Sequence, residues 1–406
     1  MRLEEEEKAI LKGARGKAAQ ISMKILVALG KIYGAERLIP VRSVQVSGVS
    51  YANIGEAGLE YLEELASDGR VQVTTTLNPA GMDLENWRSL GISPEFAEKQ
   101  KRVIEAFKRM GIVPCLTCTP YLVGNLPRYG EHVAWGESSA VTYVNSVIGA
   151  RSNLEGGPSA LAAAIIGKTP EYGLHLEENR RPDLTFVVKA KLRTESDYGV
   201  LGYLIGKQAL GKIPYLRGIE DPDLNMLKSF SASLVTYGSK PLFHIEGITP
   251  EAEKYDPPER TVSITSHDLK EGYKALNDSV KEVTFVSLGC PHLSLSEVAE
   301  ISRLLKGKKV KQGVTLWLSL ARATKALSDA AGYTEIIEEA GGVFACDTCM
   351  VVAPLKGRFE SIVTTSAKAC FYCRGKNQMA VRTGSLKRCI AAAVTGRWPE
   401  GEDYEA

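Results

Sequence analysis

The sequence predicts an α/β protein in which mainly parallel strands alternate with helices. Two observations lead to this fold class. Short apolar runs such as 43–48 and 283–290 are each followed by a segment with the polar and apolar spacing of a helix. Several of these runs also end in cysteines or polar residues, and the carboxyl ends of parallel strands are where open sheets place their sites.

The chain is long enough to predict more than one lobe. It has 406 residues, and a single hydrophobic core stops growing at roughly 250–300 residues. We expect a first lobe over 1–245, a second over 246–400 and an acidic, frayed tail at 401–406. The proline-containing stretch 238–260 is the predicted connection between the lobes.

Strands and helices alternate through the first half of the chain. After helices in the first forty positions, the pattern predicts a strand, a helix and a strand at 43–48, 61–65 and 71–76. Ser93 is the predicted cap of the next helix, because Pro94 stands at its first position and apolar residues follow at helical spacing. A strand over 112–118 then carries Cys118 at its carboxyl end.

The same alternation returns in the second half. Strands are predicted at 283–290, 314–318 and 342–346. Ser294 and Glu297 form a capping box that opens the helix after the first of these strands. Gly202 and Gly206 superficially resemble a phosphate-binding loop but lack its spacing, so they predict a tight contact between helices.

Composition and charge argue against several classes of function. The chain is 44% hydrophobic and 24% charged, with a net charge of +2, so no overall field favours nucleic acid or a membrane surface. No apolar run reaches the roughly 18–20 residues that a membrane span needs. Residues 1–7 are acidic, unlike a signal peptide, and we expect a cytoplasmic protein with reduced cysteines.

Most of the eight cysteines stand in motifs that suit metal binding. Three Cys-x-x-Cys pairs and one Gly-Cys-Pro-His turn contain them, at positions 115/118, 346/349, 370/373 and 290. Thiolate sulfur is a donor that both zinc and iron–sulfur clusters prefer. The residues alone therefore leave more than one kind of metal site open.

Three uses of these cysteines follow from their positions. The two late pairs have spacing that fits a structural zinc site in a non-enzymatic binding protein, and the alternatives are a local disulfide or unliganded thiols. Cys118 and Cys290, each at the end of its own strand, instead favour an iron–sulfur cluster at a lobe interface. A cluster on three cysteines keeps one iron open as a Lewis acid for a substrate, whereas a fully ligated cluster suits electron transfer.

Longer motifs resemble a known family. They lie at 74–79, 117–121, 130–140, 145–156, 347–349 and 365–368. In sequence and in order these segments resemble aconitase X, a family of aconitase-type hydro-lyases. Because they span nearly the whole chain, the resemblance covers more than one lobe.

The resemblance implies a fold, a cofactor, a partner and a reaction. The lobes would be aconitase-like and three-layered, with a [4Fe-4S] cluster at their cleft on Cys118, Cys290 and Cys349, or on Cys346 as an alternative. The family's swivel domain, which bears a catalytic serine, is expected on a separate small subunit. The implied reaction dehydrates (R)-5-phosphomevalonate to trans-anhydromevalonate 5-phosphate, and the alternative substrate is another hydroxy acid such as cis-3-hydroxyproline.

The candidate catalytic residues are Glu137, Ser138, His292 and Lys368. Glu137 can supply an acid–base carboxylate, although the same segment also suits a turn with a helix cap. His292 can hydrogen-bond a substrate or the cluster ligands, or cap its own turn. Lys368 can meet a substrate phosphate, or lie in a solvated loop.

The candidate substrate-binding residues are small or polar and lie in or near these motifs. They are Gly55, Thr75, Asn78, Ser139, Asn145, Arg151, Asn153 and Ser366. Arg151 can bind a carboxylate in a fork geometry, and the alternative is a surface ion pair. Thr75 and Asn78 form a polar strand end that suits phosphate or carboxylate, or a plain turn.

Overall fold

A computed structural model describes residues 1–280 and 282–404 of the chain. Its α-helices are α1 (Glu5–Leu11), α2 (Lys17–Ile32), α3 (Tyr51–Leu65), α4 (Pro94–Arg109), α5 (Ser138–Tyr143), α6 (Gly157–Ile166), α7 (Glu195–Gln208), α8 (Leu224–Gly238), α9 (Ser266–Leu276), α10 (Leu295–Leu305), α11 (Arg322–Ala330), α12 (Tyr333–Glu339), α13 (Ala367–Gly375) and α14 (Leu386–Thr395). Its strands are β1 (Leu38–Pro40), β2 (Ser43–Val46), β3 (Thr74–Leu77), β4 (Ala134–Trp135), β5 (Lys168–Pro170), β6 (Leu184–Val188), β7 (Pro214–Arg217), β8 (His244–Ile245), β9 (Thr261–Ile264), β10 (Phe285–Leu288), β11 (Thr315–Leu320), β12 (Gly342–Cys346), β13 (Ser361–Thr364) and β14 (Ala380–Thr383). No helix in these ranges is long and apolar enough to cross a membrane.

In the described part of the chain, the strands form three parallel sheets and one antiparallel pair. The sheet orders are β3-β2-β4, β8-β7-β6-β9 and β12-β11-β10-β13-β14, while β1 pairs with β5. Every pairing inside the three larger sheets is parallel. Parallel strands need crossover connections, which the intervening helices supply. The predicted α/β class is confirmed.

Two helix starts form as their sequences predict. The Ser93 hydroxyl accepts a hydrogen bond from the Phe96 amide at 3.2 Å, and Pro94 is the first residue of α4. Ser294 and Glu297 form a reciprocal capping box at the start of α10. In both cases a side chain near the helix start satisfies an amide that the helix leaves without a partner.

Helices α7 and α8 touch through glycines, which confirms the predicted tight contact. A Cβ atom on Gly202 would lie 2.8 Å from the Phe230 carbonyl oxygen of α8. One on Gly206 would lie 2.8 Å from the Leu234 carbonyl oxygen. The glycines are therefore packing residues that let two backbones approach each other.

The strand predicted over 112–118 is wrong. Only Val113 forms a β-bridge, with Thr76 of β3. Pro114 has no amide hydrogen to continue a ladder, and Leu116 has a φ of +45°, which breaks extended geometry. The segment still runs beside β3, because the Thr117 amide donates to the Leu77 carbonyl oxygen at 3.0 Å.

The stretch predicted to connect the lobes is part of a sheet. It contains β8, and the preceding Leu242 and Phe243 are fully buried. The four-stranded sheet thus has strands on both sides of residue 245. The division of the chain at that residue stays a prediction.

The frayed tail is wrong for residues 401–404. Asp403 forms ion pairs with Arg382 and Arg388, and Tyr404 is buried with its hydroxyl donating to the Lys191 carbonyl oxygen. The positive charges of the two arginines hold this acidic segment against the protein. Residues 405–406 lie outside the described residues.

Candidate active site

The candidate site lies where the carboxyl ends of two parallel sheets meet. From the three-stranded sheet, Asn78 follows β3 and Glu137 follows β4. From the five-stranded sheet come residues after three strands, namely Cys290 after β10, Cys349 after β12 and Lys368 after β13. The Ala80 amide donates to the Asp347 carbonyl oxygen at 2.8 Å, which ties the two edges together. Open α/β sheets place ligands at such edges.

Three thiols form the centre of the site. Cys118, Cys290 and Cys349 are free and act electrostatically on one another. Burial raises the pKa of each thiol. The His292 amide donates a hydrogen bond to Cys118 Sγ at 3.1 Å. The structure therefore brings together the three cysteines that the resemblance assigned to a cluster.

Cys346 is not part of this group. It lines a separate cavity of about 510 Å³ together with Arg322 and Phe344. The charged groups that act on it are led by Asp83 and Arg322. The end of β12 thus directs Cys346 away from the three thiols, and Cys349 is the member of the pair that joins them.

The closed zinc site predicted from the two late pairs does not form. Within residues 1–280 and 282–404, no three His, Cys, Asp or Glu side chains are grouped to hold one metal ion. Cys370 and Cys373 are buried in α13, and Cys389 is buried in α14. All three are free thiols. Cys290 and Cys349 act electrostatically on Cys373, so α13 packs beside the three thiols.

A buried ion pair joins the two sheets beside the thiols. Lys368 Nζ contacts Glu137 Oε1 and lies 3.5 Å from Ser138 Oγ. Burial opposes the charge of Lys368, but Glu137 and the neighbouring thiols raise its pKa above the ordinary value. Burial likewise opposes the charge of Glu137, but Lys368 and the Asn78 amide lower its pKa. Both groups are therefore ionised inside the protein.

Two polar atoms beside these groups have no hydrogen-bond partner among the described residues. They are Asn78 Oδ1 and Thr348 Oγ1, and both are buried. The other end of the Asn78 amide donates to Glu137 Oε2 at 2.9 Å, and Thr348 directly precedes Cys349. Because buried polar atoms are normally satisfied, these two fit a site that receives a polar ligand.

His292 is fully buried between the loops that carry Cys118 and Cys349. Its Nδ1 lies 3.1 Å from Thr117 Oγ1, and its Nε2 lies 3.1 Å from the Thr348 carbonyl oxygen. Burial lowers the pKa of His292 to about 4. Both ring nitrogens are engaged by the protein, so this ring has no nitrogen free for a substrate.

The other predicted residues have clear local roles in the structure. The Ser139 hydroxyl donates to Glu137 Oε1 at 3.0 Å. Ser366 caps α13 and favours the charged form of the Cys290 thiol, although burial still raises the pKa of that thiol. The Thr75 hydroxyl donates to the Val73 carbonyl oxygen, whereas Gly55 interrupts α3 with a φ of +61°.

Three predicted substrate-binding residues are not brought to the thiols. Asn145 uses its amide on the Ser152 and Pro241 carbonyl oxygens. Arg151 pairs with Glu177 and donates to the His175 carbonyl oxygen, while Asn153 bonds to backbone groups of residues 172 and 174. These side chains hold loops together around the buried Arg180–Glu251 pair. Their polarity serves the fold at this place.

An ion-pair network that no sequence pattern indicates borders the site. Arg322 contacts Asp83, which follows β3, and Asp347, which follows β12. Asp83 is fully buried and also accepts a hydrogen bond from the Cys346 amide. Of the three residues, only Asp347 stands in a recognisable motif. Asp83 and Arg322 lie in segments without one.

The donor set fits an iron–sulfur cluster better than a single metal ion. In a cluster each thiolate binds its own iron, so the sulfur atoms need not converge on one point. The free thiols of Cys118, Cys290 and Cys349, a buried ammonium group and two unsatisfied polar atoms would suit a cluster with a polar ligand beside it.

The chain is similar to known proteins over nearly its whole length. Models of the aconitase X first, second and third domains match residues 1–178, 182–274 and 283–395. The phosphomevalonate dehydratase large subunit of Thermococcus kodakarensis is 48% identical over 97% of this chain and 100% of its own. A cis-3-hydroxy-L-proline dehydratase of Pseudomonas aeruginosa is 35% identical over 98% of this chain and 71% of its own. The crystal structure of Thermococcus kodakaraensis aconitase X in its holo-form has a TM-score of 0.91 at 46% identity, covering 97% of this chain and all of that one. The chain belongs to the aconitase X family.

Proposed function

We propose that the chain is the large subunit of a hydro-lyase that dehydrates (R)-5-phosphomevalonate to trans-anhydromevalonate 5-phosphate. The observation that carries the proposal is the buried Lys368–Glu137 pair beside three free thiols at the meeting edges of two sheets. The full-length similarity to a phosphomevalonate dehydratase large subunit supports the choice of substrate.

The cofactor in this proposal is a [4Fe-4S] cluster held by Cys118, Cys290 and Cys349. When bound on three thiolates, such a cluster supplies a Lewis-acidic iron for the hydroxyl that leaves. The residues around it have separate duties. The His292 amide donates to Cys118 Sγ, and Ser366 favours the charged form of the Cys290 thiol. The site thus orients the thiols before the cofactor arrives.

Lys368 binds the anionic part of the substrate. Its ammonium proton stays at Nζ, because Glu137 stabilises the charge inside the protein. Glu137 also receives the Asn78 amide and the Ser139 hydroxyl, which fix its position. Asn78 Oδ1 is then free to accept a hydrogen bond from a substrate hydroxyl. A fixed charge in a buried site acts far more strongly than it would in water.

The proposed partner is a small subunit that carries a swivel domain and the serine that removes the substrate proton. Relatives are named as large subunits, which implies a second chain. The match covers 71% of the hydroxyproline dehydratase, so a substantial part of that protein lies outside the match. That extra part is where the same family can carry an equivalent domain on one chain.

The proposal is tested with the chain and its small subunit produced together without oxygen. About four irons and four sulfides per large subunit are expected, with formation of trans-anhydromevalonate 5-phosphate followed by mass spectrometry. Turnover of cis-3-hydroxyproline instead would favour the second substrate, which the relative from Pseudomonas aeruginosa suggests. Protein without iron and sulfide would overturn the cluster assignment.

A further inference from the structure

One imidazole lies between all three loops that carry the thiols. His292 follows Cys290 by two positions, and its ring contacts the residues directly before the other two cysteines. These are Thr117, through Oγ1, and Thr348, through its carbonyl oxygen, each at 3.1 Å. The His292 amide adds a third link, to Cys118 Sγ. No other contact in the site described above reaches all three loops.

The hydrogen-bond network assigns the ring's protonation. A carbonyl oxygen can only accept, so Nε2 carries the hydrogen and donates to Thr348. Nδ1 of the neutral ring is then an acceptor, and the Thr117 hydroxyl donates to it. The Thr117 oxygen in turn accepts from the Thr119 amide at 3.2 Å. With the hydrogen on Nε2, each of these donors has an acceptor.

The backbone of His292 is held from the opposite side. Lys228 Nζ donates to the His292 carbonyl oxygen at 3.0 Å and also contacts Glu297. Both the lysine and the histidine are buried. The ring is therefore anchored independently of the thiols, which lets it set the loops' positions.

We propose that His292 is a positioning residue that fixes the Cys118 and Cys349 loops relative to Cys290, one through each ring nitrogen. It does not act on the substrate. The inference extends the proposed function, but it concerns the chain's own loops and can be tested without turnover.

Two conservative variants separate the two links. His292→Gln retains a donor near the Nε2 position and loses the acceptor for Thr117, whereas His292→Asn retains an acceptor near Nδ1 and loses the donor to Thr348. His292→Ala loses both. Thr117→Val removes the hydroxyl that bonds His292 and also the acceptor of the Thr119 amide, so it should accelerate Cys118 at least as much as His292→Gln does.

The measurement is the rate at which iodoacetamide alkylates each cysteine of the apo full-length chain, read by peptide mass spectrometry. We expect Cys118 to react about tenfold faster in His292→Gln and Cys349 about tenfold faster in His292→Asn, as for a local opening that loses one buried hydrogen bond. Both rates should rise in His292→Ala. Cys389, buried in α14 outside the site, is the internal control and should keep its rate.

Acceleration of Cys118 in one variant and of Cys349 in the other distinguishes positioning from general destabilisation of the fold. Equal acceleration of Cys118, Cys349 and Cys389 in all variants, or no acceleration in His292→Ala, would overturn the inference. As a second readout, the reconstituted variants should lose iron to a chelator faster than the parent, with His292→Ala the fastest. Because alkylation is measured on the apo chain, absence of dehydratase activity would count against the proposed function and leave this result intact.

Discussion

Lys368 carries its charge in a largely buried place, where its closest counter-charge is Glu137; the two side chains are 8% and 12% exposed. Lys368→Gln should lower kcat/KM for the proposed substrate by about 100-fold or more, the usual effect of removing a preorganised charge from an active site. Steady-state kinetics of the reconstituted enzyme checks this. Lys99→Gln is the matched control, because Lys99 forms an exposed pair with Glu56; similar losses in both variants would contradict the role of Lys368.

A second residue makes stability depend on pH. Burial, with Glu297 nearby, raises the pKa of Glu195 to about 7 from an ordinary value of 4.5. The folded chain therefore holds this proton more tightly than the unfolded chain, so the contribution to stability is complete below pH 4.5 and is lost as the pH rises through 7. Glu195→Gln should raise the melting temperature at pH 8, by the equivalent of at most about 3 kcal/mol, and much less at pH 5.

The control for this pH effect is Glu300→Gln. Glu300 is on the surface of α10, where Arg303 lowers its pKa. It should show no gain in melting temperature at pH 8. A gain for Glu195→Gln that is the same at pH 5 and pH 8 would disprove the assigned titration.

Single residues differ in how far the sequence reveals their roles. Strand-end positions pointed to Cys118 and Cys290 and the family resemblance pointed to Cys349, and the structure places these three thiols near one another; their role as ligands stays a prediction. Arg151 and Asn153 were chosen for their polarity, yet the structure uses them to hold loops. Whether a polar side chain binds substrate or holds loops together depends on its partner at a distant position in the chain. That partner cannot be read from the local sequence.

At the scale of elements, the approach of α7 to α8 yields a prediction. Gly206→Ala should destabilise the protein by about 1–3 kcal/mol, because the new methyl group would meet the backbone of α8 at 2.8 Å. Thermal unfolding checks this. Gly375→Ala in α13 is the matched control, since no atom lies within 4 Å of its Cβ position. There alanine's better helix propensity should stabilise the protein by up to about 1 kcal/mol; a gain at both positions would contradict the packing argument.

Elements were predictable where the signal is local. Capping at Ser93 and Ser294 depends on residues within one turn, and both caps form. The segment 112–118 was assigned to a strand from its apolar composition, but a left-handed Leu116 makes it irregular. That irregular path is what turns the chain so that Cys118 faces the thiols from the other sheet.

At the scale of the molecule, Arg322 joins the edges of two sheets. Arg322→Met would leave Asp83 and Asp347, which are almost fully buried, without their cation. We expect a loss of about 3 kcal/mol, at the low end for a buried pair because Arg322 reaches solvent. The melting temperature and limited proteolysis measure it. Arg303→Met, which removes only an exposed pair within α10, should have almost no effect; equal losses would rule out the bridging role.

The whole arrangement was predictable in outline only. Alternating strands and helices predict parallel sheets, and parallel sheets predict sites at their carboxyl edges. Which edges face each other depends on contacts such as Lys368 with Glu137, whose positions lie in different halves of the chain. Local sequence patterns do not report contacts between residues so far apart in the chain.

The spread of the thiols along the chain also orders events during synthesis. Cys118 leaves the ribosome long before Cys349 and Lys368 have been made, and domains near the amino terminus fold first. The nascent protein must therefore keep an unpaired thiol reduced while its partners are still being translated. A cluster held as proposed by Cys118, Cys290 and Cys349 could then form only after all three cysteines have been synthesised.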